Sequence, residues 1–276
     1  MTESEAMHTA ARRYCTERMA ELQHQPPVGG RGPVPVHYSR RLLQCLLEEI
    51  ERHLPGEYAG LDATRRELTA IALSVNVKFS EQPNPLAVRV IQQERELFCA
   101  HINALGANTL ANVAPLPFRR TLREDESRVL WQRVNERWGA GGSFWFPLVQ
   151  FDEMPSDLLA FRLENLLTEI GIPRLRELLA SHGVRRLYEL NVEGFRLHLG
   201  TPARHGMQPE FELDLSLFEP RGQGERYWAD DEIEWLIYLS HENTVTFAGE
   251  GLITSLKNLW PTWEKRWHMP ESAILV

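Results

Sequence analysis

The chain has 276 residues, a net charge of −8 and a sequence pI near 5.7. Hydrophobic residues make up 43% and charged residues 25%, which excludes global disorder and leaves enough apolar material for a substantial core. The acidic balance disfavours a nucleic-acid binder held by its overall field, and no run approaches the roughly 20 apolar residues of a membrane span.

At about 100 to 200 residues per domain, the length favours two domains or one large one. Residues 3–24 read as a helix, with Ala6, Ala10, Tyr14 and Met19 loosely periodic. The Pro/Gly-rich stretch Gln25–Pro35 follows, so residues 1–24 are expected to form a semi-detached helical arm and 25–37 a linker. A mainly helical domain is expected over 38–142. Its first helix, 38–54, carries the stripe Leu42, Leu43, Leu46, Leu47, Ile50 and Leu54, and Pro55-Gly56 ends it. A second helix is expected to start near Asp62. A third, 86–104, turns Val90, Ile91, Leu97 and Phe98 inward. Thr121 and Glu124 fit a capping box ahead of a helix carrying Val129, Leu130, Val134 and Trp138, which Gly139–Gly142 ends.

An α+β domain is expected over 143–276. Residues 143–151 read as a strand bulged at Pro147, and 156–170 and 173–182 as helices. Strands are expected at 185–190 and 194–199, and at 211–218, where Phe211, Leu213, Leu215 and Leu217 alternate with Glu212, Asp214 and Ser216. Residues 233–240 and 244–248 flank a turn at His241-Glu242-Asn243, and a last helix covers 252–259. The fold class is therefore α+β: a helical N-terminal half, then an antiparallel sheet covered by helices 156–182 and 252–267.

Three wide-spaced cysteines, Cys15, Cys45 and Cys99, argue against a disulfide framework or a Cys-rich zinc site, and a reducing cytoplasm suits all three. The acidic start Met1–Glu5 lacks the layout of a secretory signal, which agrees with a cytoplasmic location. Basic residues are almost all arginine, with only Lys78, Lys257 and Lys265 as lysines. Coding bias explains this better than selection, because the arginines are spread along the chain.

Ser240-His241-Glu242-Asn243-Thr244 puts a hydroxyl, an imidazole, a carboxylate and an amide at one strand end. His241 and Glu242 are the candidate catalytic residues of an acid/base or metal-dependent hydrolase. Adjacent strand residues point to opposite faces, so the pair can cooperate only if the turn re-aims it. No HExxH motif occurs, since position 245 is Val; the simpler reading is a structural turn closed by Ser240 and Asn243. Glu212 and Asp214, with Glu219, Asp230, Asp231, Glu232 and Glu234, form an acidic set that a cationic partner would seek. Trp228, Trp235, Tyr238 and Asn243 join Glu212 and Asp214 as candidate binding residues. Five of the eight tryptophans fall in the last fifty residues, as core or as interface anchors. Cys99 and His101 diverge on one helix and make a poor nucleophile–base pair. No metal ligand set, cofactor motif, nucleotide loop or serine-hydrolase elbow is present, and the sequence carries no signal for an oligomeric state.

The run Trp138-Gly139 with Phe144–Leu148, the segment Leu187–Leu190, Glu212–Asp214 with Phe218–Pro220, then Glu225, Tyr227-Trp228 and Trp260-Pro261, and above all Glu234–Glu242 followed by Thr244–Gly249 resemble a group of uncharacterised bacterial cytoplasmic proteins. The resemblance covers roughly the second half of the chain. It implies a bacterial α+β module similar to small accessory or immunity-type proteins. The leading expectation is a non-enzymatic protein-binding module with a protein partner, a cationic one fitting the charge. The alternatives are a hydrolase centred on His241 and Glu242, and a nucleic-acid-associated factor using the arginines of the helical half.

Overall fold

The computed structural model describes residues 1–24, 34–77, 84–140, 145–147, 157–191, 209–221 and 224–268. The chain forms two compact units, Met1–Leu116 and Pro117–Val276.

The first unit is helical. Helix α1 (Glu3–Gln23) starts with a closed capping box: the Glu5 amide donates to Thr2 Oγ1 at 3.2 Å and the Thr2 amide to Glu5 Oε2 at 2.6 Å. Helices α2 (Val34–Ile50), α3 (Leu61–Ser74), α4 (Pro85–Ala104) and the short α5 (Ala107–Leu110) follow. Far from being an arm, α1 lies in the core of this unit. Its small residues Ala6, Ala10, Ala11 and Cys15 are buried with Met7 against Leu42, Leu46 and Ile50 of α2 and Phe98 of α4. Two arginines on its polar side hold it there. Arg12 Nε donates to Glu51 Oε1 at 3.0 Å and Arg18 Nε to Glu94 Oε1 at 3.1 Å, both carboxylates being buried. Glu94 therefore takes an inward position on α4 and Leu97, expected inward, is exposed. The expected linker shrinks, since α2 already begins at Val34, and its residues 25–33 lie outside the described set. Gly60, not Asp62, caps α3, and Asn84 Oδ1 caps α4 by accepting from the Ala87 amide at 2.8 Å.

The boundary expected near 139–143 falls instead between Leu116 and Pro117, because the next segments belong to the sheet of the second unit. Strand β1 (Arg119–Thr121) pairs with β4, and α6 (Glu124–Trp138) buries Leu130, Trp131 and Val134 against the same sheet. Thr121 thus sits in a strand rather than a capping box, and Glu126 takes the Arg123 amide at 2.9 Å. The remaining elements are β2 (Leu158–Arg162), α7 (Leu163–Glu169), α8 (Gly171–Ser181), β3 (Arg186–Asn191), β4 (Phe211–Asp214), β5 (Arg226–Ala229), β6 (Leu236–Leu239), β7 (Thr244–Ala248) and α9 (Glu250–Leu259). They build one seven-stranded antiparallel sheet in the order β1-β4-β3-β5-β6-β7-β2.

The helix expected over 156–170 is half strand. Leu158–Phe161 are all buried because β2 is covered on both faces, and a short apolar run of that kind carries no period. The strand expected to reach 218 stops at Asp214, where Leu215–Leu217 wind into a 3₁₀ turn. Trp145–Pro147, expected in a strand, form a turn with a cis Phe146–Pro147 bond. Residues 143–144, 148–151 and the strand expected at 194–199 lie outside the described residues.

Strand alternation splits the sheet into two apolar faces. Tyr227, Tyr238, Leu236 and Ala160 face Trp131, Val134, Trp145 and Phe146. Trp228, Ile237, Val245 and Phe247 face Leu166 of α7, Leu175 of α8 and Leu256 of α9. Gly249 permits this closure: a Cβ there would stand 2.8 Å from the Glu234 carbonyl oxygen, and its φ is 111°. The chain beyond α9 returns to β2, where the His268 amide donates to the Ala160 carbonyl at 2.8 Å, which covers that sheet edge.

Candidate functional site

The hairpin between β6 and β7 closes with the Ser240 amide donating to the Thr244 carbonyl at 2.9 Å and the Asn243 amide to the Ser240 carbonyl at 3.2 Å. Asn243, at φ 57°, takes the left-handed position that a three-residue hairpin loop requires. This loop re-aims the expected catalytic pair. His241 Nε2 stands 3.4 Å from Glu242 Oε1, although adjacent strand residues would diverge. His241 Nδ1–H donates to Glu225 Oε1 at 2.5 Å, and the sequence gives Glu225 no site role. Glu225 lies just before β5, whose pairing with β6 brings it beside a residue sixteen positions later. Its side chain is 10% exposed and that of His241 50%, so a shielded carboxylate orients a solvent-facing imidazole.

Ser240 contributes no nucleophile. Its Oγ lies 2.8 Å from Thr244 Oγ1 and accepts from the Glu242 amide at 3.1 Å, so it is spent on the turn. Below the turn, the rings of Tyr227 and Tyr238 stack at 4.6 Å, both fully buried. Burial first, then the Glu225 carboxylate, pushes the Tyr238 phenol above its ordinary range; Tyr227 rises through burial and its neighbour Tyr238. The Tyr227 hydroxyl closes no hydrogen bond among the described residues.

The expected binding aromatics are core residues. Trp228 is fully buried and donates from Nε1 to Glu189 Oε2 at 2.9 Å; Trp235 and Tyr238 are buried as well. They cannot anchor a partner from inside the sheet. The acidic set divides. Glu212 Oε2 accepts from Arg120 Nε at 3.1 Å and Nη2 at 3.0 Å, and Arg186 lies 3.4 Å from its other oxygen, so Glu212 is neutralised. Asp214 caps the 3₁₀ turn by accepting from the Ser216 amide at 2.8 Å.

Asp230, Asp231, Glu232 and Glu234 crowd the connection from β5 to β6. Ile233 in their midst has φ 58°, a strained value for a β-branched residue, and its side chain is buried. This anchor drives the flanking acidic residues outward. Asp230 Oδ1 accepts from the Glu234 amide at 2.8 Å; burial raises the Asp230 carboxyl, and the like charges of Glu234 and Asp231 add to it. Arg133 stands 3.9 Å from Glu232. Asp230 and Asp231 also line a cleft of about 370 Å³, together with Arg185, Arg186, Tyr188 and Glu212.

A second site residue with no sequence signal is Glu210, buried just before β4. It accepts from Trp131 Nε1 at 2.7 Å, from the Asn191 amide at 3.1 Å and from the Ser127 hydroxyl. Burial raises its carboxyl, and its three donors fasten α6 to the sheet. No group of three or more His, Cys, Asp or Glu among the described residues is arranged to hold a metal ion. No described helix is long and apolar enough to cross a membrane.

Comparison with protein-family models, with curated proteins and with solved structures found no match.

Proposed function

We propose that the protein is a non-enzymatic protein-binding module, of accessory or immunity type, that takes a cationic protein partner on the β5–β6 connection. The observation that carries this reading is the outward-turned set Asp231, Glu232 and Glu234 around the buried Ile233. Four carboxylates in five residues repel one another, and a partner's arginines or lysines relieve that repulsion. The overall charge of −8 steers such a partner in the same sense. The test is capture from extract of the source cell with the wild-type chain and with Asp231→Asn/Glu232→Gln/Glu234→Gln. A basic protein retained by the first and lost by the second supports the reading. Equal retention by both, or retention of acidic proteins, overturns it.

A second reading has one specific observation in its favour, the 2.5 Å contact between Glu225 and His241. A carboxylate-oriented imidazole with a solvent-facing Nε2 is the form of a general base. On this reading His241 takes a proton from water or a substrate hydroxyl, Glu225 fixes the tautomer, and Glu242 shapes the approach. A panel of ester, amide and phosphoester substrates would show turnover that His241→Ala removes; the absence of turnover across the panel removes this reading.

A further inference from the structure

The cleft beside the acidic connection carries both signs of charge, which neither the composition nor the acidic set foretold. It opens where β3 begins and β5 ends. The register pairs Tyr188 with Ala229, and two residues beyond that pair on each strand Arg186 and Asp231 both line the cleft. No ion pair joins the two among the described residues. Arg186 instead lies over the Phe118 ring at 3.7 Å and reaches back to Glu212. Its neighbour Arg185 is exposed, and its guanidinium makes no hydrogen bond or ion pair among the described residues. On the other wall the exposed Asp231 carboxylate is equally unengaged, and Asp230 behind it is partly withdrawn from water. The half-buried Tyr188 and the buried Val184 and Leu187 line the cleft as well.

Arg185 and Asp231, of opposite charge and unpaired with one another in the same cleft, are complementary to a ligand that carries both charges. A carboxylate fits the planar fork of Arg185, an ammonium fits Asp231 and Asp230, and an apolar body fits Tyr188 and Val184. The volume of about 370 Å³ lies at the small end of ligand sites. We infer that this cleft binds a small zwitterion of the α-amino-acid class, with its carboxylate on Arg185 and its ammonium on Asp231. This does not depend on the protein-partner reading, since a free amino acid needs none of Glu232, Glu234 or a partner surface.

The experiment follows amide chemical shifts of the full chain on titration with L-leucine, N-acetyl-L-leucine and L-leucinamide. The last two each lack one of the two charges. Shifts should gather at residues 184–188 and 230–231 with L-leucine, and both capped forms should bind at least about tenfold more weakly. Arg185→Ala should restore parity between L-leucine and L-leucinamide, and Asp231→Asn parity between L-leucine and N-acetyl-L-leucine. Both residues are exposed, so the variants keep the fold, which their unchanged spectra elsewhere would verify. L-leucinamide binding as well as L-leucine in the wild type overturns the inference while leaving the cationic-partner reading standing. The absence of shifts at the cleft with all three compounds also overturns it.

Discussion

The two units bury their polar groups in opposite ways. In the helical unit, charge goes inside with a counter-charge: Glu51 and Glu94 are buried, and Arg12 and Arg18 of α1 reach them. In the sheet unit, Glu210 is buried with neutral donors only, Trp131, Ser127 and the Asn191 amide. At Glu210 the neutral donors leave burial to win, and its proton affinity rises. The helical unit thus depends on complete ion pairs, and the sheet unit on aromatic packing with a few fixed donors. The features proposed to be functional follow the same division. They lie in the sheet unit, at strand ends where the aromatic core stops.

The largest expected effect is at Trp131, which fills the core between α6 and Tyr227 and donates to Glu210. Trp131→Ala should cost about 4 kcal/mol in urea unfolding, from cavity and lost donor together. A loss below about 1 kcal/mol would contradict the packing described for this face. In the helical unit, Arg18→Ala strands the buried Glu94 and should cost about 3 kcal/mol. Glu94→Leu added to it should recover part of that loss. If the double variant is as unstable as the single one, the counter-charge account of α1 fails.

Acid should separate the two units. His8 is buried, and its Nε2–H donates to the Ile50 carbonyl at 3.0 Å, which fixes the neutral tautomer. Burial lowers its pKa to about 4 from 6.5. The unfolded chain therefore takes this proton first, so stability is full above about pH 6.5 and falls by about 3 kcal/mol as the pH drops to about 4. Glu210 acts in the opposite sense: its raised folded pKa adds stability as the pH falls through that value. Amide exchange measured at pH 7 and pH 5 should show protection falling in α1 and α2 relative to β3 and β4. Equal changes in both units would contradict the assignment, and His8→Gln should remove the fall in α1 and α2.

Much of this fold is legible from local pattern. The stripe of α2 and the apolar strands β6 and β7 declare themselves, and the 241–243 turn is placed by its own residues. What escapes the sequence depends on partners far along the chain. α1 reads as an arm because its buried face is made of alanines and its polar residues include the arginines that pin it. β2 reads as helix because a strand covered on both faces has no period, and β5 is only four residues long. Glu225 and Glu210 gain their roles only through the pairing of β5 with β6 and of β3 with β4. His241 and Glu242 are legible as a polar pair, but their convergence rests on the left-handed Asn243.

The smallest expected effects on stability are at the features proposed to be functional. His241→Ala should change unfolding by less than about 1 kcal/mol, since its pair with Glu225 is half open to water. A larger loss would make the turn a structural clasp.

The central claim is that Asp231, Glu232 and Glu234 recruit a cationic partner. The most direct test is the affinity for the captured partner, measured against salt concentration for the wild-type chain and for Asp231→Asn/Glu232→Gln/Glu234→Gln. The account predicts weakening with salt for the wild type, a shallower dependence for the variant and at least about tenfold weaker binding at low salt. Equal affinities and equal salt slopes for the two chains would contradict it.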